Sequence, residues 1–79
     1  MVGYKLVKNN NAEVLYEYYP ENKTENKGIV SFNKNNGDFE IMERSSEDEF
    51  SSYAWHLRSR LQEFNKTGNF RETGYVAWY

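Results

Sequence analysis

Residues 39–64 read FEIMERSSEDEFSSYAWHLRSRLQEF, and within this stretch the spacing of the apolar residues changes. Phe39 and Ile41 alternate with polar neighbours, which is typical of a strand with one buried face. Further along, apolar residues recur every three or four positions, which is the spacing of one stripe on a helix. The members of this stripe are Phe50, Ala54, Leu57, Leu61 and Phe64. The stretch therefore predicts a strand followed directly by an amphipathic helix.

The helix is predicted to cover about residues 47–66. Ser46 and Glu49 have the spacing of a capping box, in which the two side chains bind free backbone amides of the first turn. The acidic residues 47–49 would place negative charge in that turn, as the helix dipole favours. Gly68 follows as a residue that can adopt the left-handed conformation of a helix C-terminus.

Four shorter segments before the helix alternate between apolar and polar residues in the manner of strands. They are residues 2–8, 12–19, 27–33 and 38–44, separated by turn residues such as Asn36-Gly37. Residues 75–79 follow the helix as a fifth strand. We expect one α+β domain over residues 1–79, an antiparallel sheet in ββββαβ order with one long helix packed on one face. The first four strands would form a meander, and the helix would carry the chain back so that the fifth strand can pair with the first. This predicts the strand order 4-3-2-1-5.

The amino-acid composition excludes some kinds of site and favours a folded, intracellular protein. The 79 residues contain no cysteine, which excludes disulfide bonds and thiolate metal sites. Aromatic residues make up 18% of the chain, and this fraction favours a folded core despite a mean hydropathy of -0.99. Small secreted domains usually depend on disulfide bonds, so we expect a cytoplasmic protein with no signal peptide and no membrane span.

No catalytic, metal or cofactor site is predicted. His56 is the one histidine of the sequence, and no Ser-His-Asp pattern of a known spacing accompanies it. The acidic residues 47–49 would point in different directions on a helix, and they lack the spacing of a calcium loop. The five glycines form no phosphate-binding motif. We expect no enzymatic activity, and a small enzyme that uses His56 is the alternative.

The sheet face that turns away from the helix is predicted to be partly apolar, with Glu13 and Glu17 at its rim. Trp55 falls on the solvent side of the helical wheel, and tryptophan is enriched in binding hot spots. Outward apolar positions on the strands are Val7, Leu15, Tyr19, Ile29 and Met42. An apolar patch with a polar rim is typical of an interface.

These features predict a non-enzymatic protein-interaction module that binds a protein partner or a second copy of itself. The residues expected to bind the partner are Trp55, Leu15, Tyr19, Ile29, Met42, Trp78 and Tyr79. Arg58 and Arg60 beside Trp55 leave a nucleic-acid-associated protein as an alternative. The acidic residues predicted on the open sheet face weigh against that alternative, because they would repel phosphates.

The apolar C-terminal run GYVAWY, residues 74–79, has two interpretations. It is either a strand of the chain's own sheet, with Val76 and Trp78 covering the end of the helix, or a segment that pairs with a partner chain. The sequence leaves both open.

Two short motifs, YAWH at residues 53–56 and GYVAWY at residues 74–79, resemble a group of small uncharacterised Gram-positive bacterial proteins. Members of that group have a similar length, a strand-rich first half, one helix and a Val-Ala-Trp-Tyr ending. The resemblance implies the fold and no site residue, because the group has no assigned activity. Trp55 stands where a small residue would be expected in the group, which argues against a shared role for it.

Overall fold

The computed structural model describes residues 1–78, which form five strands and one α-helix. The elements are β1 (Val2–Asn9), β2 (Glu13–Pro20), β3 (Gly28–Asn33), β4 (Phe39–Glu43), α1 (Ser52–Thr67) and β5 (Thr73–Val76). The short 3₁₀ helix Thr24–Asn26 lies in the loop between β2 and β3. The α+β class and the element order confirm the prediction, and the first four strands differ from it by at most one residue at each end.

The sheet is antiparallel with the order β4-β3-β2-β1-β5, as predicted. The helix carries the chain back across the sheet, so β5 adds to β1 and leaves β4 as the opposite edge. No helix within residues 1–78 combines the length and the apolar character that crossing a membrane requires.

The core lies between α1 and the inner face of the sheet. The edge of the Tyr4 ring meets the Tyr16 ring with centroids 5.6 Å apart, and the Tyr16 hydroxyl donates to the Arg71 carbonyl at 2.6 Å. Burial raises the pKa of Tyr16 above its ordinary value. The buried apolar residues are Val2, Tyr4, Val14, Tyr16, Tyr18, Val30, Phe32, Ala54, Leu57, Leu61 and Phe64.

The helix begins later than the sequence predicts. α1 starts at Ser52 rather than at residue 47, and the expected capping box of Ser46 and Glu49 is wrong. Ser51 occupies the N-cap position in a left-handed conformation, with φ of 61°, and its side chain makes no capping hydrogen bond. The acidic residues 47–49 therefore lie in the turn before the helix.

Asp48 supplies the missing cap from that turn. Its carboxylate is 1% exposed and accepts the backbone amides of Tyr53 at 3.0 Å and Ala54 at 3.1 Å. The Tyr18 hydroxyl donates to the same carboxylate at 3.0 Å and accepts the Ser45 amide at 3.0 Å. A long-range contact with the sheet thus replaces the local capping box and determines where the helix starts.

The predicted helical stripe is correct except at its first member. Phe50 is 83% exposed, because it precedes the helix and lies outside the stripe that packs on the sheet. The other members, Ala54, Leu57, Leu61 and Phe64, are buried as expected. Gly68 ends the helix as predicted, with φ of 74° and its amide donating to the Phe64 carbonyl.

The fifth strand is Thr73–Val76 rather than residues 75–79, and it pairs with β1. Val76 lies opposite Val2 and is partly buried against the core. Among the described residues, the C-terminal run is therefore part of the chain's own sheet, which is the first of the two interpretations. Tyr79 lies outside the described residues.

Candidate interaction surface

The outer face of the sheet lies on the side away from α1, and its strand register arranges eight side chains in two cross-strand rows. Each row crosses four strands, from β1 through β2 and β3 to β4. The first row is Lys5, Glu17, Ile29 and Glu43. The second row is Lys8, Leu15, Ser31 and Glu40.

Both rows have the same charge pattern. A lysine stands on β1 and a glutamate stands on β4, and these four side chains are exposed. Leu15 and Ile29 are partly buried and occupy diagonal positions between the charged edges. The outer face therefore has an aliphatic centre, a basic side and an acidic side.

Two β-bulges create this charge pattern. The register shifts between Leu6 and Lys8 on β1, so Lys8 rather than Val7 lies opposite Leu15. Val7, which was expected in the outer apolar patch, lies at this bulge and has no cross-strand partner in the register. Val7 remains 47% exposed at the bulge itself.

The second bulge lies on β4 beside Ile29. There the register shifts so that Glu43 rather than Met42 lies opposite Ile29. Met42 is 56% exposed at the bulge and has no cross-strand partner in the register. Strict alternation along β4 predicts Met42 at the position opposite Ile29. The pattern of apolar and polar residues in one sequence does not predict a bulge.

Glu17 lies in the first row and is held by two neighbours. It accepts hydrogen bonds from the Tyr19 hydroxyl at 2.6 Å and from the Lys27 ammonium at 3.2 Å. These two contacts hold the pKa of Glu17 below its usual value, the tyrosine having the larger effect. Burial raises the pKa of Tyr19 to about 12. The negative charge of Glu17, which lies beside Leu15 and Ile29, is therefore already balanced within the chain by Lys27.

Tyr19 lies on the outer face but is not available to a partner, contrary to the prediction. It is 8% exposed and lies opposite Gly3 in the β1–β2 register. The Asn22 side chain lies over Gly3, where a Cβ would collide with it. The loop that follows β2 thus covers this end of the outer face. Tyr75 is also on the outer face and is 58% exposed, which the sequence analysis did not identify.

Trp55 is half exposed, in keeping with its predicted position, but it belongs to the helix side of the molecule. Its ring packs on Phe39 of β4 with centroids 5.4 Å apart, and the Arg58 guanidinium lies 5.3 Å from the ring centroid. Arg60 contacts Glu63 at 3.5 Å. Trp55 is therefore not brought together with Leu15 and Ile29, and both arginines of the nucleic-acid alternative have partners within the chain.

Trp78, which was expected to bind a partner, packs against α1 and is partly buried. Its ring stacks on His56 with centroids 3.7 Å apart and an angle of 9° between the planes. The Tyr53 ring meets it edge-on at 5.6 Å. Tyr79, the remaining predicted residue, lies beyond the part of the chain that the structure describes.

His56, the residue of the enzymatic alternative, lies on α1 in contact with the C-terminal run. One face of its imidazole is covered by Trp78. Across the described chain, no group of three or more His, Asp or Glu side chains is placed to hold a metal ion.

Comparisons with models of known protein families, with curated proteins and with solved structures find no match for this chain. The resemblance to the small Gram-positive proteins stays an expectation from the two sequence motifs.

Proposed function

We propose that this protein is a non-enzymatic interaction module whose outer sheet face packs against a second copy of the chain. The observation that carries the proposal is the pair of cross-strand rows, in which an aliphatic centre is flanked by lysines on one side and glutamates on the other. Such a face carries charges complementary to its own, which is what a two-fold symmetric interface needs.

The size of the face supports a weak dimer. The four strands β4 to β1, about 4.8 Å apart and paired over five or six residues, give a face of roughly 300–400 Å² per copy. Two copies would bury roughly 600–800 Å² in total, which is in the range of weak, transient complexes. We therefore expect dissociation in the micromolar range.

A cytoplasmic location is part of the same proposal. It is supported by the cysteine-free composition, since a chain of this length in an oxidising compartment would usually carry disulfide bonds.

Sedimentation equilibrium across the micromolar range tests the proposal. We expect a concentration-dependent dimer for the natural chain and a monomer for Leu15→Glu, because the variant replaces an aliphatic side chain at the centre of the face with a carboxylate that would lose its water on association. Ser59→Glu is the matched control, since it adds the same charge on an exposed position of α1 and should leave the dimer intact. A natural chain that stays monomeric throughout this range contradicts the proposal.

A further inference from the structure

We infer that the dimer axis runs parallel to the strands, between β2 and β3, and that Glu43 and Glu40 of one copy face Lys5 and Lys8 of the other. The inference rests on the proposed function and specifies its geometry. Rotation about this axis places β4 of one copy over β1 of the partner and β3 over β2. A residue keeps its cross-strand row in this rotation, because the axis is parallel to the strands.

The strand register makes the charges complementary in both rows. In the first row, Glu43 lies over the partner's Lys5, and in the second row, Glu40 lies over the partner's Lys8. The symmetry repeats each pair, which gives four ion pairs around the interface. Among residues 1–78, Glu40 and Glu43 take part in no ion pair within the chain. Lys8 makes an exposed contact with Glu13 at 3.8 Å, and such a weak surface pair can be exchanged for one with the partner's Glu40.

The charges also exclude the other two-fold arrangement. An axis in the plane of the face but perpendicular to the strands would place β4 over β4 and β1 over β1. Glutamates would then face glutamates and lysines would face lysines, and like charges in contact disfavour that complex.

The same rotation closes an aliphatic cluster at the axis. Leu15 on β2 and Ile29 on β3 are diagonal neighbours in adjacent rows. Rotation brings the partner's Leu15 over Ser31 and the partner's Ile29 over Glu17, whose carboxylate is already bound by Tyr19 and Lys27. The four aliphatic side chains of the two copies then lie within about one strand spacing of 4.8 Å. The ion pairs surround this cluster, as polar rims surround the apolar centres of interfaces.

The two bulges support this arrangement. Without the register shift on β1, Val7 would take the place of Lys8 opposite Leu15. Without the shift on β4, Met42 would take the place of Glu43 opposite Ile29. Each bulge thus places one of the charges that the rotation pairs directly opposite an aliphatic residue of β2 or β3.

Charge reversal tests the geometry. Lys5→Glu/Lys8→Glu converts the four ion pairs of the homodimer into four Glu–Glu pairs, and Glu40→Lys/Glu43→Lys converts them into four Lys–Lys pairs. We expect each double variant to weaken its own dimer by about tenfold or more, since several pairs change sign together. The quadruple variant, which exchanges all four charges, keeps the net charge and should return to within about threefold of the natural chain. Sedimentation equilibrium measures all four dimer constants.

A second set of variants limits the effect on the fold, because Lys5→Glu would face Glu17 directly across the strands, whereas Lys8→Glu gives up only an exposed contact with Glu13 at 3.8 Å. Lys8→Glu, Glu40→Lys and their combination test the second row alone, and circular dichroism checks the fold of each. Arg60→Glu/Lys66→Glu is the control for Lys5→Glu/Lys8→Glu. It makes the same change in net charge on α1, away from the outer face, and should not weaken the dimer.

The outcomes separate the geometry from the function. If the natural chain dimerises but the quadruple variant does not regain the affinity that the double variants lose, the axis is wrong and the interaction module remains. A natural chain that never dimerises removes the proposed function itself.

Discussion

The Tyr18 hydroxyl lies 3.0 Å from the Asp48 carboxylate and joins the middle of the sheet to the turn that starts α1. The same carboxylate accepts the amides of Tyr53 and Ala54, so one buried side chain caps the helix and fixes it to β2. Stability and helix position therefore depend on one contact between residues 30 positions apart.

Asp48→Ala should lower the free energy of unfolding by about 2–3 kcal/mol, because two helix amides and the buried Tyr18 hydroxyl lose their acceptor. That loss is a large part of the roughly 5 kcal/mol expected for a domain of this size. Urea unfolding followed by circular dichroism measures the change. Glu47→Ala is the control, because Glu47 is an exposed neighbour in the same turn. Equal stability of the two variants would mean that Asp48 does not cap α1.

Phe50→Ser should change the free energy of unfolding by no more than about 0.5 kcal/mol, because the ring is already in solvent. Leu57→Ala, on the buried part of the stripe, should cost about 2–5 kcal/mol. Thermal unfolding of the two variants compares them. A large loss of stability in Phe50→Ser would contradict the exposed position of this ring and would support the longer helix that the sequence predicts.

Trp78→Ala should lower the melting temperature, because the half-buried indole stacks on His56 and packs against Tyr53. We expect a loss of about 1–3 kcal/mol, less than for a fully buried aromatic residue. Calorimetry measures the change, with the exposed neighbour substitution Ala77→Ser as the control. An unchanged melting temperature would show that the tail does not pack on α1 in solution.

Glu17→Gln should lose stability at neutral pH and lose less in acid. Hydrogen bonds from Tyr19 and Lys27 lower the pKa of Glu17 in the folded chain. A lowered folded pKa adds stability above the unfolded value of about 4.3, and this stability is lost as the pH falls through the folded pKa. Urea unfolding of both chains between neutral and acidic pH should show the two curves converging at low pH. A difference that does not depend on pH would contradict the ionic contribution of Glu17.

Local patterns predicted the elements of this fold well. Alternation found four strands within one residue at each end, and the 3-4 spacing of Leu57, Leu61 and Phe64 found the helix and its buried stripe. These predictions succeed because the period of side-chain directions is set by backbone geometry that each segment adopts alone. The strand order followed from the connections, since short turns join neighbours and the helix carries the chain back.

Local patterns failed where a distant residue decided the outcome. Ser46 and Glu49 have a correct capping spacing, yet Asp48 caps the helix because Tyr18 on β2 binds it from the other side. Val7 and Met42 follow the alternation of their strands, yet the register shifts place Lys8 opposite Leu15 and Glu43 opposite Ile29. A bulge, or a helix cap that depends on a contact with the sheet, does not change the spacing of apolar and polar residues nearby in the sequence. Neither can therefore be predicted from that spacing.

The sequence by itself determined the class of fold, the order of the strands and the side of the helix that is buried. Only the tertiary structure decided where the helix begins, where the strand register shifts, and which charges lie beside Leu15 and Ile29. The physical reason is that side-chain periodicity is a property of a single segment. Register and capping, in contrast, are set by contacts between segments that are far apart in the chain.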